Sequence, residues 1–453
     1  MDRLGARVMV ANRNQIELRA VDLEGLLPAD HRARVVWAYV ERLDLSPLYA
    51  QFKAVEGHAG RPGIDPAILL ALWLYATLEG VGSARALARL CTEHDAYRWI
   101  CGGVGVNYHS LSDFRVGHVE FLDRLLTESV AALMASGAVT LQRVAQDGVR
   151  VRASAGAPSF RRRRTLKRCL REARQQVARL KAELEDDPGA TSRRRQAAHE
   201  RAARERSQRV EQALAELEKI EAAKHRESSK AERKAAKKVA KQAARRDDEQ
   251  HGPGAGGGQA DEDKKRAPRA STTDPEARVM KGPGGGFRPS YNVQFSTDAG
   301  ARIIVGVDVS NQGADQGELS PMSQQLQHRY GRVPAESVVD GGFVTLAEIE
   351  AGAELGTTVY APVPEPRNPD RDRYQPLRGD APAVAAWRVR MGTQAAKDIY
   401  RQRGGCAEWA NAQARNRGLR QFGVRGLAKV KAVALWYALA HNVLFGARLA
   451  PAT

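Results

Sequence analysis

The sequence predicts an α/β protein: a mixed sheet flanked by helices, preceded by an all-α unit and interrupted by a helical, coiled-coil insertion. Three observations lead there. From about Leu26 to Ser136 apolar residues recur three and four apart, as in Val35, Tyr39 and Leu43 and again in Leu69, Leu72, Trp73 and Ala76, the period of amphipathic helices. Around Val139 the pattern changes to the alternation of strands, in Val144-Ala-Gln-Asp147-Gly-Val149-Arg-Val151. Between Phe160 and Phe287 there is no Phe, Tyr or Trp, and residues 161–250 hold 28 Lys and Arg against 16 Asp and Glu. These shifts divide the chain into a helical unit over 1–137, a sheet domain over 138–160 plus 287–450, and a basic insertion over 161–286.

Within the helical unit, Ser83 to Cys91 reads as a short helix. A Gly-rich turn at Gly102 to Gly105 leads to Ser110-Leu-Ser-Asp113, which resembles a capping box opening a second helix. Such a pair is either a helix-turn-helix reading a major groove, with Arg115 on DNA, or a structural three-helix core. In the sheet domain, Asp147-Gly148 is compatible with a hairpin turn.

The insertion carries Leu166, Leu170, Ala173, Val177, Leu180 and Leu184 in steps of four and three, the seam of a coiled coil. A break at Asp187-Pro-Gly189 precedes a second run through Val210, Leu214, Leu217 and Ile220, so an antiparallel helical hairpin is expected. After Asp247 the composition turns to Gly, Pro and charge as far as Gly286, as in disordered tails. The net +12 of residues 161–250 is either a solvated face, a DNA-backbone clamp or a dimerisation arm. Strands resume at Ser290 to Ser296 and Ile303 to Val309. A helix over Gln316 to Arg329, a strand over Ser337 to Asp340, a helix over Leu346 to Ala351 and a strand over Thr357 to Ala361 follow, and the last hundred residues read as helical.

Composition narrows the function. Lys and Arg exceed Asp and Glu by 18 over 453 residues, and a pI near 10 favours a polyanionic partner such as nucleic acid. The longest mainly apolar stretches, Pro66 to Leu78 and Ala432 to Phe445, fall short of the roughly 20 residues of a bilayer span and read as core helices. Cys91, Cys101, Cys169 and Cys406 form no CxxC pair, which argues against a zinc site and a disulfide framework. With no secretory pattern at the N-terminus, the expected location is the cytoplasm, at the nucleoid. The Gly runs at 252–258 and 282–286 lack the Lys-Ser or Lys-Thr of a nucleotide loop, so no ATP requirement is expected.

Two acidic residues stand where sheets commonly house sites: Asp147 inside the first strand and Asp340 at the end of a later one. Either alone would ordinarily cap a turn. Gln146-Asp147-Gly148 with Arg152-Ala-Ser154, Ser290-Tyr-Asn-Val-Gln294, Asn311-Gln-Gly-Ala-Asp315-Gln-Gly317 and Val338-Val-Asp340-Gly-Gly-Phe343 together are more specific. With Tyr400, Arg403, Glu408 and Arg415, and with Arg415-Asn-Arg-Gly-Leu-Arg420 and Ala440-His-Asn442, they resemble bacterial insertion-sequence transposases. That family has an RNase H-like DDE catalytic domain and a helical N-terminal transposase domain. Two departures stand out: Arg415 takes the place of a Lys, and Glu408 follows Arg403 by one residue more than in the commonest form of the signature.

The resemblance implies that Asp147, Asp340 and Glu408 are catalytic and hold two Mg²⁺ ions, with Mn²⁺ able to substitute. It implies cleavage and strand transfer on double-stranded DNA, at element ends and target, by a homodimer in the synaptic complex and without a membrane. Hard cations prefer oxygen ligands, and two ions about 4 Å apart suit in-line phosphoryl displacement. Carboxylates gathered together repel and raise one another's pKa. In this reading Arg403 contacts phosphate, Tyr400 either stacks on a base or packs in the core, and Arg415 meets phosphate or pairs with Glu408. Asp308, Asp315, His109 and His441 are expected to be structural. A non-enzymatic DNA-binding relic and a nuclease or recombinase of the same fold are the competing functions.

Overall fold

The computed structural model describes residues 22–52, 63–186, 193–243, 267–282, 284–366 and 368–449. Seven helices come first: α1 (Arg32–Val40), α2 (Ser46–Tyr49), α3 (Pro66–Leu78), α4 (Ala84–Glu93), α5 (Asp95–Cys101), α6 (Tyr108–Gly117) and α7 (Val119–Ala135). α3 is apolar on every side and almost wholly buried, as a helix at the centre of a bundle must be. α6 begins earlier than the expected capping box. Asn107, not Ser110, is its cap, accepting the Ser110 N–H at 3.0 Å, and α5 intervenes between α4 and α6.

The sheet follows. β1 (Arg143–Arg152) pairs antiparallel with β5 (Phe287–Asp298) and parallel with β7 (Glu336–Val338), which pairs parallel with β8 (Thr358–Tyr360). The outer edge of β5 is shared by β4 (Arg278–Lys281) near its start and β6 (Ile304–Ser310) further along. A second, two-stranded sheet joins β2 (Phe160–Arg161) to β3 (Ala270–Ser271). No hairpin forms at Asp147-Gly148, because β1 runs straight through both residues. The glycine serves a close approach instead: a Cβ on Gly148 would stand 2.2 Å from Asp315 Oδ1.

The insertion is a pair of helices, α8 (Arg163–Asp186) and α9 (Arg193–Ala243). Arg163 meets Glu218 and Glu221, while Arg174 meets Glu211, a falling order that makes the pair antiparallel. Leu166, Val210, Ala213 and Leu217 form its buried seam together with Ala270. The break at Asp187-Pro-Gly189 and the Gly run at 252–258 lie outside the described residues. The stretch expected to be a disordered tail differs in its second half, which holds β3 and β4. Asp274 Oδ1 accepts from the Tyr291 hydroxyl at 2.6 Å and the Gly426 N–H at 3.1 Å, and Glu276 Oε2 accepts the Leu427 N–H at 2.8 Å. These carboxylates satisfy backbone donors at the start of a buried helix, which orders the segment.

The remaining helices are α10 (Leu319–Tyr330), α11 (Leu346–Glu354), α12 (Pro382–Gly392), α13 (Gln394–Arg401), α14 (Trp409–Asn416) and α15 (Leu427–Leu449). α15 is long and apolar enough to cross a membrane by length and composition, yet 72% of its most apolar stretch is buried. It shares one hydrophobic core with α1, α3, α7 and the sheet. Trp436 Nε1 donates to the Arg115 carbonyl, and the Asn442 amide exchanges two hydrogen bonds with the backbone of Ile304 on β6. The helical unit and the sheet are thus locked to each other through the C-terminal helix.

Candidate active site

The β1–β7 register decides where the first two carboxylates meet. Its last pair is Ala145 with Val338, and carrying the same offset two residues on sets Asp340, just past the end of β7, beside Asp147 midway along β1. β7 stops short because Asp340 closes a turn: its Oδ1 accepts from the Gly342 N–H at 2.7 Å and its carbonyl from the Phe343 N–H at 3.2 Å. The Phe343 ring is fully buried and anchors that turn.

Asp147 is held from both sides. Its Oδ1 accepts the Gly148 N–H at 2.9 Å, and its Oδ2 accepts from Asn411 Nδ2 at 3.0 Å, with Arg403 Nη1 at 3.9 Å. Burial pushes the Asp147 carboxyl up to about 6. The Arg403 charge opposes the rise, and the neighbouring Asp340 adds to it.

A defect in its helix brings Glu408 to Arg403. Residues Gly404–Glu408 form a π turn between α13 and α14. On a regular α-helix positions five apart diverge by roughly 140°, so Arg403 and Glu408 would face apart. The wider turn absorbs one extra residue, and Arg403 Nη2 meets Glu408 Oε1 at 2.5 Å. The one-residue lengthening of the signature is therefore taken up locally. Tyr400 lies beneath, its ring centre 5.9 Å from the Arg403 guanidinium, within electrostatic reach of Asp340 and Glu408.

The structure thus gathers Asp147, Asp340, Glu408, Tyr400 and Arg403. Among the described residues no three acidic, His or Cys side chains close on a single point, and the positive charge between Asp147 and Glu408 is that of Arg403. The donor chemistry nonetheless suits a hard divalent cation, because carboxylate oxygens are joined by Asn411 Oδ1, which is buried beside Asp147 with no partner.

Arg115 and Arg415 stand elsewhere. The Arg115 guanidinium lies 4.6 Å over the Trp73 ring and donates to the Gly82 carbonyl, inside the helical unit. Arg415 does not pair with Glu408; it lines a cleft beyond α14.

The sequence reading overlooked Asn411, whose one signal is its place three residues after Glu408, on the same helical face. It also overlooked the polar layer behind β1. Asp315 accepts from Asn292 at 2.7 Å, Gln294 at 2.8 Å and Arg150 at 2.8 Å, while Gln146 donates to Gln294 and to the Glu318 carbonyl. His441 is a packing residue: Nε2 bonds the Arg302 carbonyl, the ring stacks on Phe445, and burial lowers its pKa to about 4.

Two family descriptions match the chain. Transposase domain (DUF772) covers residues 21–116, the span of α1 to α6. Transposase DDE domain covers residues 377–444, which include Tyr400, Arg403, Glu408 and Arg415. No curated protein and no solved structure matches. The chain thus carries a transposase domain over its helical N-terminal unit and a transposase DDE domain over its C-terminal helices, which supports an insertion-sequence DDE transposase.

Proposed function

We propose that this protein binds the ends of its insertion sequence and catalyses metal-dependent DNA cleavage followed by strand transfer, with Asp147, Asp340 and Glu408 as the catalytic carboxylates. The observation that supports the reading is the nearness of Asp340 to Asp147, with Arg403 standing between Asp147 and the Glu408 that the π turn brings to it. Three such side chains would hold Mg²⁺, or Mn²⁺ in its place, and the bound cations would activate the attacking oxygen and stabilise the leaving one.

The chain's own groups do the positioning. Asn411 fixes the Asp147 carboxylate through its amide N–H, and the Gly148 N–H holds the other oxygen. Arg403 sets Glu408 and offers its remaining donors to a phosphate, for which a planar guanidinium is suited. Tyr400 supports that arginine with its ring. Cleavage uses water as nucleophile, and joining uses the 3′ hydroxyl it releases. Two ends must be held together, so the working form is at least a homodimer.

The test is a supercoiled plasmid carrying a marker between the DNA segments that flank this coding sequence. Wild-type protein with Mg²⁺ should release and rejoin the marker, and Asp340→Ala should do neither. Equal cutting by both proteins would overturn the assignment, and nicking without joining would favour a nuclease.

A further inference from the structure

Beyond the carboxylates, β1, the β4–β5 hairpin, the end of α14 and the segment after it line a cleft of about 500 Å³. Five arginines line it, Arg150, Arg152, Arg288, Arg415 and Arg420, and no carboxylate does. Arg150 is neutralised by Asp315. Among the described residues Arg152, Arg288, Arg415 and Arg420 have no acidic partner. Arg152, Arg415 and Arg420 fall in segments that carry the transposase resemblance, Arg150 and Arg288 do not, and of the five arginines Arg415 and Arg420 lie within a family match.

Gathering like charges without counter-charge is unfavourable in the free protein, and it is relieved by a polyanion. Gly282, Gly284, Gly285 and Gly286 line the cleft together with the arginines. Gly285 and Gly286 take positive φ of 86° and 46°, and a Cβ at either would meet nothing within 4 Å. The open space over Gly284, Gly285 and Gly286 leaves room for a bulky chain to lie against them.

The distances select the occupant. Arg152 is five residues along β1 from Asp147, roughly 17 Å at strand rise, and Arg415 is seven residues beyond Glu408, about 10 Å at helical rise. One strand of duplex DNA advances about 3.4 Å per phosphate, so the cleft lies roughly three to five nucleotides from the carboxylates.

We infer that this cleft grips the backbone of one DNA strand roughly three to five nucleotides from the reacting phosphodiester, through Arg152, Arg288 and Arg420 beside Arg415. The inference rests on the proposed function for its register and on the cleft alone for its chemistry. Guanidinium groups take phosphate oxygens in pairs, and such contacts are blind to base sequence.

The experiment measures affinity of the full chain for a fluorescein-labelled duplex by anisotropy, from about 50 to about 200 mM salt, where each lost phosphate contact removes about 0.9 from the log–log slope. The triple variant Arg152→Ala/Arg288→Ala/Arg420→Ala should lose about 2.7 of slope, while the Arg→Lys triple variant should restore most of it. Both are checked for the native circular dichroism spectrum. An unchanged slope in the alanine variant, or equal loss in the lysine variant, would overturn the inference. Loss of slope in a protein whose wild type never cleaves DNA would leave the cleft standing and remove the catalytic reading.

Discussion

The helical insertion and the site midway along β1 use charge in opposite ways. Residues 161–250 of the insertion hold 12 of the 18 excess positive charges, yet they are interspersed with glutamates: Arg163 meets Glu218 and Glu221 across the hairpin, Arg174 meets Glu211, and Arg204 and Arg209 meet Glu200 and Glu205 one turn away. At the β1 site like charges are set side by side instead. Asp147 stands beside Asp340, and a few residues on four arginines share a cleft with no acid. Net charge along a sequence therefore marks the class of partner, and uncompensated charge in the fold marks where the partner binds.

The largest effect should come from removing a member of the carboxylate group. Glu408→Gln should lower cleavage of end-bearing DNA by at least about 10³-fold, near 4 kcal/mol of barrier, while far-ultraviolet circular dichroism stays native. Cleavage within tenfold of wild type would move catalysis away from the π turn. Next is Gly148→Ala, whose new methyl meets Asp315, Gln294 and Asn292 at once. Overpacking there should cost about 3 kcal/mol, read as a fall in the urea midpoint.

Electrostatic strain at Asp147 gives a pH signature. Its carboxyl titrates near 6 when folded against a reference of 3.8, so between those values the folded chain binds the extra proton. Stability of the metal-free protein must fall as pH rises through that window, by on the order of 2–3 kcal/mol, and remain low above it. Asp147→Asn should abolish that slope and raise the urea midpoint at pH 8 in EDTA while ending cleavage. A midpoint below wild type at that pH would mean the buried charge is already compensated. The smallest effect belongs to the insertion: Arg174→Ala breaks a half-exposed pair and should change stability by less than about 0.5 kcal/mol. A salt slope shifted by about 0.9 would promote the insertion to a DNA clamp.

Much of this was legible because it rests on short-range patterns. The alternation around Asp147, the heptad steps from Leu166 and the apolar run from Ala432 each translate directly into a strand, a hairpin seam and a core helix. Glu408 was legible through resemblance alone, since helical periodicity turns it away from Arg403 and only the π turn restores the meeting. Asn411 and the Asp315 layer were not legible, because each depends on a partner over a hundred residues distant. Gly148 read as a turn residue because sequence cannot separate a glycine needed for bending from one needed for closeness. Order over residues 270–281 depends on Asp274 and Glu276 meeting the start of α15, a contact composition does not reveal.

The central claim is that Asp147, Asp340 and Glu408 share divalent cations. Calorimetric titration of the full chain with Mn²⁺ at pH 7.5, for wild type and for Asp147→Asn, Asp340→Asn and Glu408→Gln, reads it directly. Saturable binding in the wild type, weakened at least about tenfold in every variant (near 1.4 kcal/mol), is the expected result. Binding left unchanged by any one of the three substitutions would contradict the shared site.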